Sequence, residues 1–285
     1  MGPTPGGVVV SGVWAWLTDP ANWSGEDGIP NRLMQHLQIS FWAMVLALVV
    51  ALPLAVLCGH YGRGGEVLIA IGNIGRALPT YALVVILAST DQIGVGALAV
   101  VLALAIFALP PILVNTYVAM REVDPDVKDS ARGMGMTGGQ LLRRVELPLS
   151  FPLTFAGIRT ATVQVVATAT FGALVGAGTL GQFIVNGFSV QDYDEMYGGV
   201  VLVAVVCVLI DLALATVQHF VGRRAGIGVG PTTRARGGRR GRLRRGLPPG
   251  LTVAADEAVA AAEPVGASAS SAGSGAGSAE SGPDS

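Results

Sequence analysis

Asp124-Pro125-Asp126-Val127-Lys128-Asp129-Ser130-Ala131-Arg132-Gly133-Met134-Gly135, continuing as Met136-Thr137-Gly138-Gly139-Gln140-Leu141-Leu142-Arg143-Arg144-Val145-Glu146-Leu147-Pro148, is a polar stretch of about 25 residues between long apolar runs. Its chemistry predicts two short helices around a glycine turn. Asp124 fits an N-cap and Pro125 the first helical position, where a missing N–H costs nothing. Asp126 and Asp129 lie toward the positive end of the helix dipole. The helix should run to about Arg132 and stop at Gly133-Met134-Gly135, because Gly135 takes positive φ without a Cβ clash. Thr137 and Gln140 have capping-box spacing for a second helix, which carries Leu141, Leu142 and Val145 and should end before Leu147-Pro148. A folded polar loop of this kind between apolar spans suits a grip offered to something outside the membrane.

The rest of the chain is apolar: 51% of its 285 residues are hydrophobic and 13% charged. Its mean hydropathy is +0.58. Soluble domains carry about 25% charged residues, so much of this surface is expected to face lipid. A membrane helix needs about 20 mostly apolar residues. Five stretches qualify: Gln38–Cys58, Val67–Ala88, Val95–Val118, Pro152–Val175 and Tyr197–Val221. A sixth is conceivable if a Gly-rich break hides a half-helix. The expected class is therefore all-α and polytopic, with about five transmembrane helices.

Basic residues orient such chains, because Lys and Arg concentrate in cytoplasmic loops. Arg63, the group Arg121, Lys128, Arg132, Arg143 and Arg144, and the pair Arg223 and Arg224 share one side if there are five spans. That side should be cytoplasmic, with the N-terminus outside and the C-terminus inside. Residues 1–35, with Trp14, Trp16 and Trp23, read as an extracytoplasmic interfacial segment and not a cleavable signal, since no charged n-region precedes an apolar core. Residues 36–221 form the membrane domain, with the loop at 119–150. Residues 222–285 are Arg-rich and then Ala/Gly/Ser-rich, too poor in apolar residues to fold; a disordered cytoplasmic tail that brushes anionic lipid is expected.

The loop's spacing resembles the EAA motif of bacterial ABC importer permeases. Asp129-Ser130-Ala131 takes the acidic-Ala-Ala place, Gly135 follows after three residues, Val145 after nine more, and Leu147-Pro148 closes it. Asp129 and Ser130 depart slightly from the pattern. Arg76-Ala77-Leu78-Pro79-Thr80-Tyr81-Ala82-Leu83, Val145-Glu146-Leu147-Pro148-Leu149, Ala156–Gln164 and Gly176-Ala177-Gly178-Thr179-Leu180-Gly181 are similar to permeases of the glycine betaine/carnitine/choline importers; Thr179 stands where that family commonly has Gly. The similarity spans about Leu33–Val221. It implies a MetI-like permease core whose cytoplasmic coupling helix sits in a cleft of a separate ATPase, with Asp129, Ser130, Ala131 and Gly135 as the grip. It also implies an extracytoplasmic substrate-binding protein, a second permease copy or homologue, and a small zwitterionic or cationic substrate in a path across the bilayer.

The chain itself has no P-loop, which needs a Gly-Lys-Ser/Thr end; its one lysine, Lys128, follows Asp126-Val127. ATP is therefore expected to bind a partner, and no catalytic residue, cofactor or metal is expected. His36, His60 and His219 are scattered near span ends, and Cys58 and Cys207 lie inside apolar runs. Ionisable residues inside spans are costly and face partners or water-filled paths. Arg76, Arg159 and Asp211 are the three, and an ion pair between Asp211 and either arginine competes with a pore-lining role. Gln164 is a candidate for the translocation path, and the hydroxyls of Thr160, Thr162, Thr168 and Thr170 can bond back to their own helix or across to another one, so helix–helix bonding and the path are equally open to them. Phe171–Gly187 is a candidate gate. No aromatic cluster falls within the central spans, so substrate choice is expected to lie with the binding protein. Other readings are an importer of another small solute such as an amino acid, an ion-coupled secondary transporter, which would need inverted repeats, and a scaffold.

Overall fold

Proline and glycine set the breaks in an otherwise helical chain. The computed structural model describes residues 5–224, and the regular elements among them are all helical. α1 (Pro5–Thr18) and a 3₁₀ turn at Pro20–Trp23 precede α2 (Ile29–Tyr61). There follow α3 (Gly65–Ala77), α4 (Thr80–Ala88), α5 (Ala97–Arg121), α6 (Pro125–Gly133), α7 (Gly138–Leu141), α8 (Leu147–Thr168), α9 (Gly181–Val190) and α10 (Tyr193–Arg224). Among the described residues, four helical runs are long and apolar enough to cross a membrane: α2, α5, Gly138–Val175 and α10. The pair α3 and α4 makes a fifth if it counts as one span. The expected tail lies outside the described residues from 225 onward.

The expected span Val67–Ala88 is not one helix. α3 and α4 meet at 84°. A proline disfavours the α region for the residue before it, so Leu78 is extended (φ −72°, ψ 124°). Pro79 is extended too (φ −65°, ψ 113°). Two successive non-helical residues turn the axis much further than a proline kink inside a continuous helix.

α2 also departs from expectation, starting at Ile29 and not near Gln38. Gly28 is extended at its N-cap and a proline occupies its first turn. Its 33 residues make a rod of about 50 Å at 1.5 Å per residue. The polar residues of its first turns are partly satisfied: Arg32 pairs with Asp27 at 2.5 Å, and the fully buried His36 donates from Nε2 to the Val166 carbonyl at 2.9 Å, whereas Arg32 Nε and His36 Nδ1 find no partner among the described residues. The Gly/Pro-rich N-terminal segment likewise forms a helix, α1, whose Trp16 stands edge-on to Phe183 of α9 at 5.2 Å.

α5 is the hub. α2 presents Ala43, Ala47, Ala51 and Ala55, all buried at four-residue spacing, to a core that includes Val100, Ala103, Leu104, Ala108 and Ile112 of α5 and Ala161 and Val165 of α8. Lipid tails are as apolar as these side chains, so association in a bilayer comes from close packing between small residues. At Gly157 α8 approaches α5 closely: a Cβ there would lie 2.6 Å from Asn115 Cβ and 2.9 Å from the Pro111 carbonyl oxygen. α10 is the opposite case. None of its apolar window is buried, and Val200, Val205, Val208, Leu209 and Leu212 all stand exposed.

Candidate functional site

The polar loop folds from its own caps. Asp124 accepts from the Asp126 amide at 2.9 Å, and α6 runs to Gly133. Its end is a Schellman turn: the Met136 amide donates to the Ala131 carbonyl at 3.2 Å and the Gly135 amide to the Arg132 carbonyl at 2.9 Å. Gly135 takes φ +82° with open space where a Cβ would stand. Thr137 and Gln140 close a reciprocal capping box over α7, at 3.4 and 2.9 Å.

Beyond α7 the expectation fails in one respect. The second helix does not end before Leu147-Pro148. It continues as a π-turn over Leu142–Glu146 straight into α8, with the Leu147 amide donating to the Leu142 carbonyl. Pro148 sits in the first turn of α8, and its missing donor falls beside a stretch where the wider π pattern already holds. α7 and the membrane helix α8 are thus one continuous helical run interrupted by a π-bulge, a feature concentrated at functional sites.

The loop's candidate residues divide between two faces. Asp129, Ser130 and Gly135 are exposed, and Asp129 accepts from Arg132 at 3.3 Å on the open surface. Met134, 73% exposed, adds an apolar tip that the spacing argument passed over. Ala131 is buried, so it seats α6 on the chain. Val145 is half-buried, and Leu147 and Pro148 are exposed.

Three residues not singled out as a group in the sequence meet behind this face. Glu146, 1% exposed, takes His60 Nδ1 on Oε2 at 2.5 Å. Lys128 Nζ stands 3.6 Å from Oε1 and donates to the Met120 carbonyl at 2.9 Å. They join the ends of α2 and α5, the middle of α6 and the start of α8. His60 and Glu146 are 86 positions apart, so no local pattern could have paired them.

Within the spans, Asp211 of α10 accepts from both Nε and Nη2 of Arg159 on α8, each at 2.6 Å. Bidentate pairs of this kind add geometric specificity to charge attraction. Arg76 is not brought to them: it is exposed at the end of α3, and among the described residues it makes no ion pair. Gln164 is exposed on α8. Thr160, Thr162, Thr168 and Thr170 all bond back to carbonyls of their own helical run, at 2.7–3.0 Å, so these bonds tie no two helices together. The segment 171–187 is a broken run, with Gly176 and Gly178 at φ +67° and +63°; the buried Thr179 accepts from the Gly181 amide at 3.3 Å. The fold also brings together Tyr81 of α4 and Phe171, 5.8 Å apart, an aromatic pair that their 90-residue separation concealed.

The profile of the binding-protein-dependent transport system inner membrane component matches residues 51–227. The chain belongs to this family. It is 35% identical over 187 residues to the glycine betaine/carnitine/choline transport system permease protein OpuCB of Bacillus subtilis (strain 168), covering 66% of this chain and 85% of that one. It is 37% identical over 185 residues to the carnitine transport permease protein OpuCB of Listeria monocytogenes, with 65% and 84% covered. Among solved structures it resembles the inward-facing MetNI methionine ABC transporter, at 25% identity and a TM-score of 0.57 over 66% of this chain and 93% of that one. An amino acid ABC transporter, at 17% identity and a TM-score of 0.54, shares the fold. This inner membrane component is therefore a multi-pass, all-helical permease subunit, and the matched residues include α6, α7 and α8 whole while α1 and the start of α2 precede them.

Proposed function

We propose that this subunit forms the path for small quaternary-ammonium osmoprotectants of the glycine betaine, choline and carnitine kind, and that a separate ATPase drives it through α6 and α7. The observation that carries the reading is the exposed, doubly capped α6–α7 elbow, continuous with membrane helix α8. A rigid elbow transmits a push; a flexible loop absorbs it. Asp129, Ser130, Met134 and Gly135 offer the docking face. The names of the relatives at 35–37% identity support the substrate class. Binding of ATP falls to the partner, because the sequence holds no P-loop.

In this reading the elbow is cytoplasmic, as the basic residues around it favour. An extracytoplasmic binding protein delivers the solute to the other side. The bare apolar flank of α10 faces lipid, and a second permease copy or homologue completes the path. This reading assigns Arg76, Gln164 and the Tyr81–Phe171 pair to that path. The Arg159–Asp211 pair holds α10 to α8.

The deciding experiment is uptake of labelled glycine betaine by vesicles carrying the whole complex, competed by choline, carnitine and free amino acids. ATP-dependent uptake displaced by choline or carnitine is expected. Displacement by amino acids alone would transfer the assignment to an amino-acid importer, the activity named for the solved transporters of like fold. Uptake independent of ATP would end the coupling assignment.

A further inference from the structure

We propose that His60, Glu146 and Lys128 form a single joint through which movement of α6 reaches three membrane helices together, with Glu146 the positioning residue at its centre; this rests on the docking role given to α6. Glu146 is 1% exposed, at the last position of the π-turn that feeds α8. His60 is the penultimate residue of α2 and Met120 the penultimate residue of α5. Lys128, in the middle of α6, is the chain's one lysine. Its ammonium holds the Met120 carbonyl at 2.9 Å and stands 3.6 Å from Glu146 Oε1. The other carboxylate oxygen is held by His60 at 2.5 Å.

The physics makes this more than a convenient contact. The side chains are 14%, 2% and 13% exposed for His60, Glu146 and Lys128. A buried carboxylate that loses its partners is strongly destabilised, so α6 cannot shift against α2 and α8 without either dragging them or stranding the charge. The carbonyl bond from Lys128 adds the end of α5 to the same group. The exposed face of α6 takes the push and its buried face, through one ammonium, distributes it. Neutralising the centre leaves the shape but removes the attraction that penalises slippage.

The test uses the complete complex of permease, ATPase and binding protein in vesicles. Three quantities are read separately: ATPase retained on purification, ATP hydrolysed, and solute carried per ATP. For Glu146→Gln and for Lys128→Met, retention and hydrolysis should stay near wild type while solute carried per ATP falls at least tenfold. The double variant should be no worse than the worse single one, because groups that act as a unit are non-additive. Lys128→Arg, which keeps the charge, should recover most of the loss. A role confined to stability would lower the amount of complex and leave solute per ATP unchanged; that result, or additive losses in the double variant, overturns the joint. Should Glu146→Gln fail to accumulate, Lys128→Met and Lys128→Arg alone decide the matter by the same ratio. If the wild-type subunit never retains an ATPase, it is the reading of α6 that falls.

Discussion

Replacing Gly135 separates two costs that a docking surface and a folded loop would impose differently. The glycine has φ +82°, so any L side chain there pays the left-handed penalty, about 1–2 kcal/mol for an ordinary residue and less for Asn. Beyond its chain neighbours, nothing among the described residues lies within 4 Å of its would-be Cβ, so packing adds no further cost there. If the strain were relieved by unwinding the end of α6, the two Schellman hydrogen bonds at 3.2 and 2.9 Å would go. Each contributes about 0.5–1.5 kcal/mol net, so the loss is of the same size as the strain and stays local. Gly135→Asn therefore keeps the turn almost unstrained and adds bulk; Gly135→Trp adds strain and much more bulk. Both should reach the membrane at wild-type levels. In the whole complex, Gly135→Asn should weaken ATPase retention and ATP-driven uptake, and Gly135→Trp should abolish both. Membrane level by immunoblot, ATPase co-purification and labelled-solute uptake are the three assays. Undiminished uptake by Gly135→Trp would show that no partner approaches this turn, and the docking assignment would be wrong.

Two other variants probe the helix contacts. Gly157→Ala forces a methyl to 2.9 Å from the Pro111 carbonyl oxygen and 2.6 Å from Asn115 Cβ, which must push α8 off α5. A loss of about 1–3 kcal/mol is expected, read as a lowered thermal midpoint in detergent; an unchanged midpoint contradicts the packing described. Asp211→Ala leaves Arg159 without its carboxylate inside the membrane. Reduced membrane levels should follow, restored in part by also changing Arg159 to Met, whereas normal levels and transport in the single variant would refute the structural role of the pair.

Local chemistry was legible where it was self-contained. Asp124, Pro125, Gly135, Thr137 and Gln140 each act on neighbours within a few positions, and they form the caps that their types and spacing imply. The membrane helices follow from apolar runs of sufficient length. What stayed hidden depends on partners far along the chain. In the early turns of α2, His36 finds a carbonyl 130 positions away, which hydropathy does not register. Asp211 had two candidate arginines, and only the fold chooses the one on α8. The π-turn has no composition of its own, so Leu147-Pro148 read as a stop. Glu146 looked like one more loop acid until the end of α2 and the middle of α6 closed around it.

The single lysine has a practical consequence. Reagents that acylate side-chain amines have one target in this polypeptide, and it is only 13% exposed, tucked beneath the elbow. The rate at which Lys128 is modified, followed by mass spectrometry while nucleotide is supplied and withdrawn, becomes a clock for how often that shelter opens during the working cycle.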